Sequence, residues 1–294
     1  MPHVLAISSR VVRATVGHTL ASFVLQRMGL AVWDVPTVLW DHQPGFGRPA
    51  GFALTGTQIA TLLADFRRPE QAARTRLVSS GYFASADQVD AVHDHILALR
   101  VQGFEAAYCC DPICGDQPGL YVSAAIVQGL RTRLVPLATI ITPNRHELGF
   151  LTDQPVTSNA GIVAAARALG RPVCLVTSAF GSSDGLIANI LVTPDEAWVC
   201  ETPRMEAVPN GTGDLMTALF TGLVLTGAAP EIALGQATAS VHRILGMTLA
   251  DKTLAGKGSE LEIVAAQSNL VATDAPCPVI ALRADAPARG EPHD

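Results

Sequence analysis

Asp214 lies in the stretch VPNGTGDLMTALFTGLVL (208–225), just behind Gly211, Thr212 and Gly213, and no further charge follows until Glu231. A glycine-bearing turn that runs into a helix offers unpartnered backbone N–H groups at the positive end of the helix dipole, where anions bind. On its own an acid in that place is ordinarily a helix cap. Two other segments give it company. CDPICGD (110–116) carries Asp111 and Asp116, and ITPNRHE (141–147) carries Asn144 and Glu147. Each follows a short apolar run that reads as a buried strand, and in open α/β sheets ligands sit beyond the carboxyl ends of the strands. Hard oxygen donors there suit Mg²⁺, which takes one or two carboxylates together with substrate phosphates and water. The chemistry such a set can do is phosphoryl transfer. The amides of Gly211, Thr212 and Gly213 would hold charge developing on the transferred group, and Asp214 would take the proton of an attacking hydroxyl. It is neither a P-loop, since no G-x-x-x-x-G-K-[ST] occurs, nor a dinucleotide fingerprint, since Met216 stands at the third glycine position.

These residues need a scaffold that brings strand ends together. VLAIS (4–8), RLVSSGY (76–82), EAAYCCD (105–111), LATIIT (137–142) and PVCLVTS (172–178) are continuous apolar runs, as strands buried on both faces should be. Helical candidates near 19–29, 55–66, 85–101, 121–131 and 157–169 alternate with them, which predicts a parallel sheet with helices on both faces. Two strands near 185–193 and 196–202 leave no room for a helix between them and predict an antiparallel hairpin at the sheet edge. Helices near 213–226, 230–248 and 259–270 and a last strand at 278–282 complete the reading. DHQPGFGRPAG (41–51) is a loop, either a flap over a pocket or a plain connection. No repeat or long linker divides the chain, so residues 1–284 are expected to form one domain, with 285–294 a loose tail.

The bulk properties exclude other classes. With 49% hydrophobic and 16% charged residues, the 294-residue chain can bury a large core. Its net charge is −6 and its basic residues are scattered, so a nucleic-acid footprint is missing. The amino terminus has a five-residue apolar run where a signal peptide needs roughly 7–15, and the uncharged run Leu215–Pro230 is shorter than the about 20 residues of a membrane span. Six cysteines without C-x-x-C spacing suit a reducing compartment. A cytoplasmic protein without membrane or nucleic-acid partners is expected.

With these motifs in place, the chain resembles the ribokinase superfamily and, within it, the pyridoxal kinases, from about residue 3 to 270. SRVVRATVGH (9–18), SSGY (79–82), CDPICGDQPGLYV (110–122), VPLATIITPNRHELGFLT (135–152), VTS (176–178), GTGD (211–214) and ELEIVAAQ (260–267) match that family's motifs in order. The resemblance implies a three-layer α/β fold with a mostly parallel sheet and a small antiparallel edge. It implies Asp214 as base and Gly211–Gly213 as anion hole, with Asp111, Tyr121, Asn144, Glu147, Thr177 and Ser178 around the nucleotide. Asp111, Asp116 and Glu147 would lie at the metal. Ser9, Val16, Trp40, Phe46 and Tyr82 would join Asp214 around the vitamin. The implied reaction is ATP-dependent phosphorylation of a pyridoxal-type hydroxymethyl group. ATP and Mg²⁺ would be its cofactors, a monovalent cation such as K⁺ an optional third, and the protein a homodimer.

Departures gather at the vitamin end. Where the family reads Q-F-S-N-H-T-G-Y, this chain has LWDHQPGF (39–46), so Pro44 removes a hydroxyl, while Arg10, Ala14 and His18 replace His, Gly and Asn. Two alternatives follow: a hydroxymethylpyrimidine kinase of the same superfamily, which commonly resembles G-T-G-C where this chain has Asp214, and a vitamin B6-binding protein that keeps the kinase fold without turnover.

Overall fold

The first strand, β1 (His3–Arg13), sends Leu5 and Ile7 into one hydrophobic core and Val4 into a second, and the alternation recurs through the sheet. It is visible in β4 (Thr75–Ser80), β5 (Ala107–Cys110), β8 (Ile140–Ile141) and β9 (Val173–Phe180), where Val78, Cys110, Ile141 and Val176 face one way and Leu77, Cys109, Ile140 and Leu175 the other. A strand covered on both sides has no polar face to expose, which explains the unbroken apolar runs. These relations are read from a computed structural model that describes residues 3–117, 119–250, 260–270 and 275–282.

The remaining strands are β2 (Ala31–His42), β3 (Gly51–Ala53), the small hairpin β6 (Gly115–Asp116) and β7 (Gly119–Leu120), β10 (Leu186–Val192), β11 (Ala197–Pro203) and β12 (Val279–Ala281). The ten-stranded sheet has the order β12-β11-β10-β9-β8-β5-β4-β1-β2-β3. From β9 to β2 every pairing is parallel, while β10, β11 and β12 form an antiparallel edge at one side and β3 at the other. Helices α2 (Gly56–Leu63), α4 (Ala86–Val101), α5 (Ala124–Gly129), α6 (Arg145–Thr152) and α7 (Asn159–Ala168) carry residues of the first core. Helices α1 (Gly17–Arg27), α8 (Thr212–Leu225) and α9 (Pro230–Ala250) carry the second, and the one-turn α3 (Pro69–Ala72) leads into β4. The expected three-layer α/β arrangement is present. Among the described residues no helix is long and apolar enough to cross a membrane.

Three local expectations change. β2 is absent from the sequence reading because Asp34 and Pro36 break its apolar run. The strand tolerates both, since β3 covers it only at Val38–Trp40 and Asp34 is bonded by Ser22. α6 is also missing from that reading, although Asn144 and Glu147 at its start form a capping box, a sequence signal of helix entry. A helix over 259–270 does not form: residues 260–270 run as turns and a 3₁₀ turn at Gln267–Leu270 that fold Leu261, Ile263, Ala266 and Leu270 onto the second core. The expected tail, 285–294, lies outside the described residues.

Candidate active site

Gly211 caps α8 in the left-handed region, at φ +91°, where a Cβ would lie 2.8 Å from the carbonyl oxygen of Thr15. This conformation turns the chain sharply into the helix, and no side chain caps the amides that follow. The hydroxyl of Thr212 donates back to Pro209 O at 2.9 Å, across the turn. Asp214 follows in the first turn. Its Oδ2 accepts the backbone N–H of Gly17, the first residue of α1, at 3.0 Å. Burial raises its pKa, while the Gly17 N–H and the nearby His18 work against that rise. Behind it, Leu215 to Gly222 are all buried, so the uncharged segment is a dry helix that holds the turn in place.

Asp111 follows β5 directly and is 6% exposed. Its Oδ2 accepts from the Thr217 hydroxyl of α8 at 3.1 Å, and Thr217 lies 2.9 Å from the Thr142 hydroxyl beyond β8. One α8 side chain thus ties together two strand ends. Glu147 is 4% exposed, and its two oxygens accept the N–H of Asn144 at 2.8 Å and of Cys114 at 3.1 Å. Asn144 returns the favour: its Oδ1 accepts from His146 and Glu147, and its Nδ2 donates to Gly115 O at 3.0 Å. The pair is therefore both the cap of α6 and a latch on the 111–116 loop. Burial, opposed by these N–H groups, pushes the Glu147 carboxyl up to about 8, and burial with the neighbouring Glu147 and Asp214 drives Asp111 well above the carboxylate range. Like charges crowded in a buried place are a setting that a bound cation relieves.

A cavity of about 430 Å³ opens in front of these groups. Asp111, Asp116, Tyr121, Asn144, Glu147, Thr177 and Ser178 all line it, and so do Gly211, Thr212, Gly213 and Asp214. The turn that opens α8 and the residues Asn144 and Glu147 thus border one space. Ser178 lies in β9 two residues before its end, with φ +57°, a conformation sparsely used by non-glycine residues. Asp116 stands at the rim, exposed, 3.8 Å from His146 Nε2, and Tyr121 is 56% exposed. Among the described residues no three His, Cys, Asp or Glu side chains cluster closely enough to cage a metal.

Ser9, Val16, Trp40, Phe46 and Tyr82 do not line this cavity. Ser9 lies under Gly17, and Val16 Cγ1 is 3.1 Å from where a Gly211 Cβ would be, so both border the base from the α1 side. Trp40 and Tyr82 pair with ring centroids 5.4 Å apart, and the Tyr82 N–H donates to Ser8 Oγ at 3.1 Å. Phe46 stands apart, packed edge-on to His42 under the Arg13 guanidinium. The loop that bears it reaches Asn210: a Cβ on Gly45 would lie 3.0 Å from Asn210 Nδ2. Sequence reading missed Gly17, His18, Thr142, Thr217 and Asn210. The signals present were His18 in place of the family's asparagine, Gly17 just before it, and a threonine one turn after Asp214.

The matches to known proteins agree with this geometry. Residues 56–277 match the model of the phosphomethylpyrimidine kinase family. The chain is 34% identical to pyridoxal kinase PdxY of Rubrobacter xylanophilus over 94% of this chain and 96% of that one. It is 32% identical to pyridoxal kinase PdxY of Corynebacterium diphtheriae over 90% and 94%. Among solved structures, pyridoxal kinase from Leishmania donovani in complex with ADP and pyridoxamine superposes with a TM-score of 0.89 at 24% identity, over 96% of this chain and 100% of that one. At that identity the superposition speaks for the fold.

Proposed function

The chain belongs to the phosphomethylpyrimidine kinase family, in which its curated relatives are pyridoxal kinases, and from that premise we propose that it is a pyridoxal kinase. In this reading it transfers the γ-phosphoryl group of ATP to the 5′-hydroxymethyl of pyridoxal, giving pyridoxal 5′-phosphate, with pyridoxine and pyridoxamine as further substrates. The observation that carries the reading is Asp214, an acid held between the starts of α8 and α1 and opening onto the cavity lined by Asn144 and Glu147.

Each residue then has a task. Tyr121, Thr177 and Ser178 border the space for the nucleotide, and the amides of Gly211, Thr212 and Gly213 face the transferred group. Asp214 accepts the proton of the hydroxymethyl as the oxygen attacks phosphorus. Ser9, Val16, Trp40 and Tyr82 hold the ring on the α1 side. Asp111 and Glu147, with Asp116 at the rim, fit Mg²⁺ shared with phosphates and water better than a protein cage, because the Glu147 oxygens already accept two N–H groups. Bound there, the ion would neutralise phosphate charge.

A second reading is phosphorylation of a hydroxymethylpyrimidine, a flat heteroaromatic with the same reacting group, and the matching family's name, phosphomethylpyrimidine kinase, shares its pyrimidine ring though not that acceptor. One experiment separates these from a protein that only binds the vitamin. Purified protein with Mg-ATP is offered pyridoxal, pyridoxine, pyridoxamine and hydroxymethylpyrimidine, and the phosphorylated products are followed. Pyridoxal is expected to turn over fastest, and Asp214→Asn to lower kcat by about 10²–10⁴. No turnover of any B6 vitamer, or an undiminished Asp214→Asn enzyme, defeats the proposal.

A further inference from the structure

His18 follows Gly17 in α1 and is 1% exposed. Its Nε2 lies 2.7 Å from the backbone N of Ser8 and 2.9 Å from Val35 O, so the ring is wedged where β1, β2 and α1 meet. Its Nδ1 lies 3.3 Å from Asp34 Oδ1, which also accepts from the Ser22 hydroxyl at 2.6 Å. Among the described residues Nδ1 makes no hydrogen bond beyond this contact. The Ser8 N–H and the Asp34 carboxylate favour one tautomer, in which the Nε2 lone pair also faces the Val35 oxygen. With the proton on Nδ1, facing the carboxylate, Nε2 keeps a lone pair for the Ser8 N–H. The opposite tautomer would oppose two N–H groups at 2.7 Å and set a lone pair against Asp34. Burial raises the Asp34 pKa, but hydrogen bonds from His18 and Ser22 outweigh it and hold the carboxyl below its ordinary value.

The place of this ring matters for the site. β1 slips out of register with β2 between Ser8 and Arg10, next to Pro36, which has no N–H to give. His18 takes the Ser8 N–H at that irregularity. The Ser8 hydroxyl receives the Tyr82 N–H, and Ser9 lies so close under Gly17 that a Cβ there would be 2.4 Å from Ser9 Oγ. Gly17 in turn donates to Asp214. A cavity of about 30 Å³, lined among others by Ser8, Gly17, His18, Asp111 and Asp214, joins these groups behind the base. The ring is therefore in contact with the bulge that presents Ser8 and Ser9 and is the next residue to the amide that grips Asp214.

We propose that His18, anchored by Asp34, is a positioning residue for phosphoryl transfer, which aims the Gly17 N–H at Asp214 and fixes the Ser8–Ser9 bulge beside the substrate. The inference rests on the kinase reading above and concerns a position that pyridoxal-kinase motifs fill with asparagine. Asparagine offers an oxygen for the Ser8 N–H but cannot pair with Asp34 in the same way.

The test uses the full chain in three variants: His18→Leu, His18→Asn and Asp34→Asn. His18→Leu is expected to lower kcat by about 10- to 100-fold, the scale of a small misplacement of reacting groups, with KM for ATP within about twofold of wild type. His18→Asn is expected to recover most of the loss. Asp34→Asn, on a side chain 33% exposed, keeps the volume and is expected to fall between the two. Melting is followed for each. If His18→Leu does not fold, Asp34→Asn carries the test. A role confined to folding would lower Tm and leave kcat per folded molecule unchanged, and that result overturns the inference. Hydrogen exchange at the Gly17 amide gives a readout without turnover: protection in the wild type that drops at least about tenfold in His18→Leu and Asp34→Asn supports positioning, and equal protection overturns it. A wild type that phosphorylates no vitamer defeats the kinase reading, and Gly17 exchange still decides whether His18 aims the amide.

Discussion

The backbone N–H of Gly17 donates to Oδ2 of Asp214 over 3.0 Å, so an acid in the first turn of α8 is also gripped by the first turn of α1. Two positive helix ends favour its anion, while burial pushes its pKa the other way. The balance leaves a carboxyl more basic than a free one, which is the direction a general base needs. Gly17 has φ +54° and no room for a side chain. Gly17→Ala is expected to cost about 1–3 kcal/mol of stability through backbone strain and to lower kcat by about tenfold or more as the donor swings away. Thermal melting and steady-state rates, measured on the same preparation, check both parts.

Gly211 and Gly213 separate shape from function in the phosphate turn. A Cβ on Gly211 meets Thr15 O at 2.8 Å with φ +91°, so Gly211→Ala should lose stability and activity together. Among the described residues a Cβ on Gly213 meets nothing within 4 Å, and its helical position should make alanine neutral or up to about 1 kcal/mol stabilising. If phosphate docks on this turn, the new methyl stands in its way, and Gly213→Ala should keep its Tm while kcat/KM for ATP falls about tenfold or more. Full activity in that variant would remove this turn from the phosphoryl site.

Four residues that line the large cavity were legible because each sits beside a strand end or a helix start marked in sequence: Asp111 after an apolar run, Asn144 and Glu147 at capping-box spacing, Asp214 behind its glycines. The parallel sheet was legible for the same reason, since strands covered on both faces cannot alternate polar and apolar. What sequence left hidden depends on contacts between distant segments. Gly17 meets Asp214 across 197 positions and Thr217 meets Asp111 across 106, and neither pairing leaves a local pattern. β2 was obscured because Asp34 and Pro36 are acceptable only once His18 and an uncovered strand flank accommodate them. The closing segment from 260 misled for the opposite reason: Leu261, Ile263, Ala266 and Leu270 look helical in spacing, yet turns bury the same side chains.

Asn144 joins α6 to the 111–116 loop, and its removal should show in both. Its Oδ1 accepts two N–H groups and its Nδ2 donates to Gly115 O. Asn144→Ala is expected to cost about 1–2 kcal/mol, the usual range for a lost cap, and to weaken ATP binding as the loop bearing Asp111 and Asp116 loosens. Asn144→Asp keeps an accepting oxygen for the helix but loses the donor to Gly115 and adds a negative charge beside Glu147. It should therefore recover stability better than ATP affinity. Urea denaturation and ATP titration distinguish the two losses; equal recovery of both would show that the latch on Gly115 does not matter to the nucleotide.

His95 is expected to make the fold sensitive to acid, from a position outside the cavity lining. It is fully buried in α4, Arg67 Nε donates to its Nδ1 at 3.4 Å, and among the described residues its Nε2 has no hydrogen-bond partner. Burial, helped by the Arg67 charge, lowers its pKa from 6.5 to about 4. The unfolded chain therefore takes up the proton first as pH falls. The stability this neutral ring contributes is complete above pH 6.5 and is lost as pH drops towards 4, a loss of about 3 kcal/mol from one residue. His95→Gln keeps an acceptor for Arg67 and cannot titrate. Its unfolding free energy, from urea melts at several pH values between 7 and 4, should decline less than that of the wild type by about that amount. Parallel decline of the two proteins would place the acid sensitivity elsewhere, with Asp34 and Asp87, whose carboxyls the fold holds below their ordinary values, as the next residues to substitute.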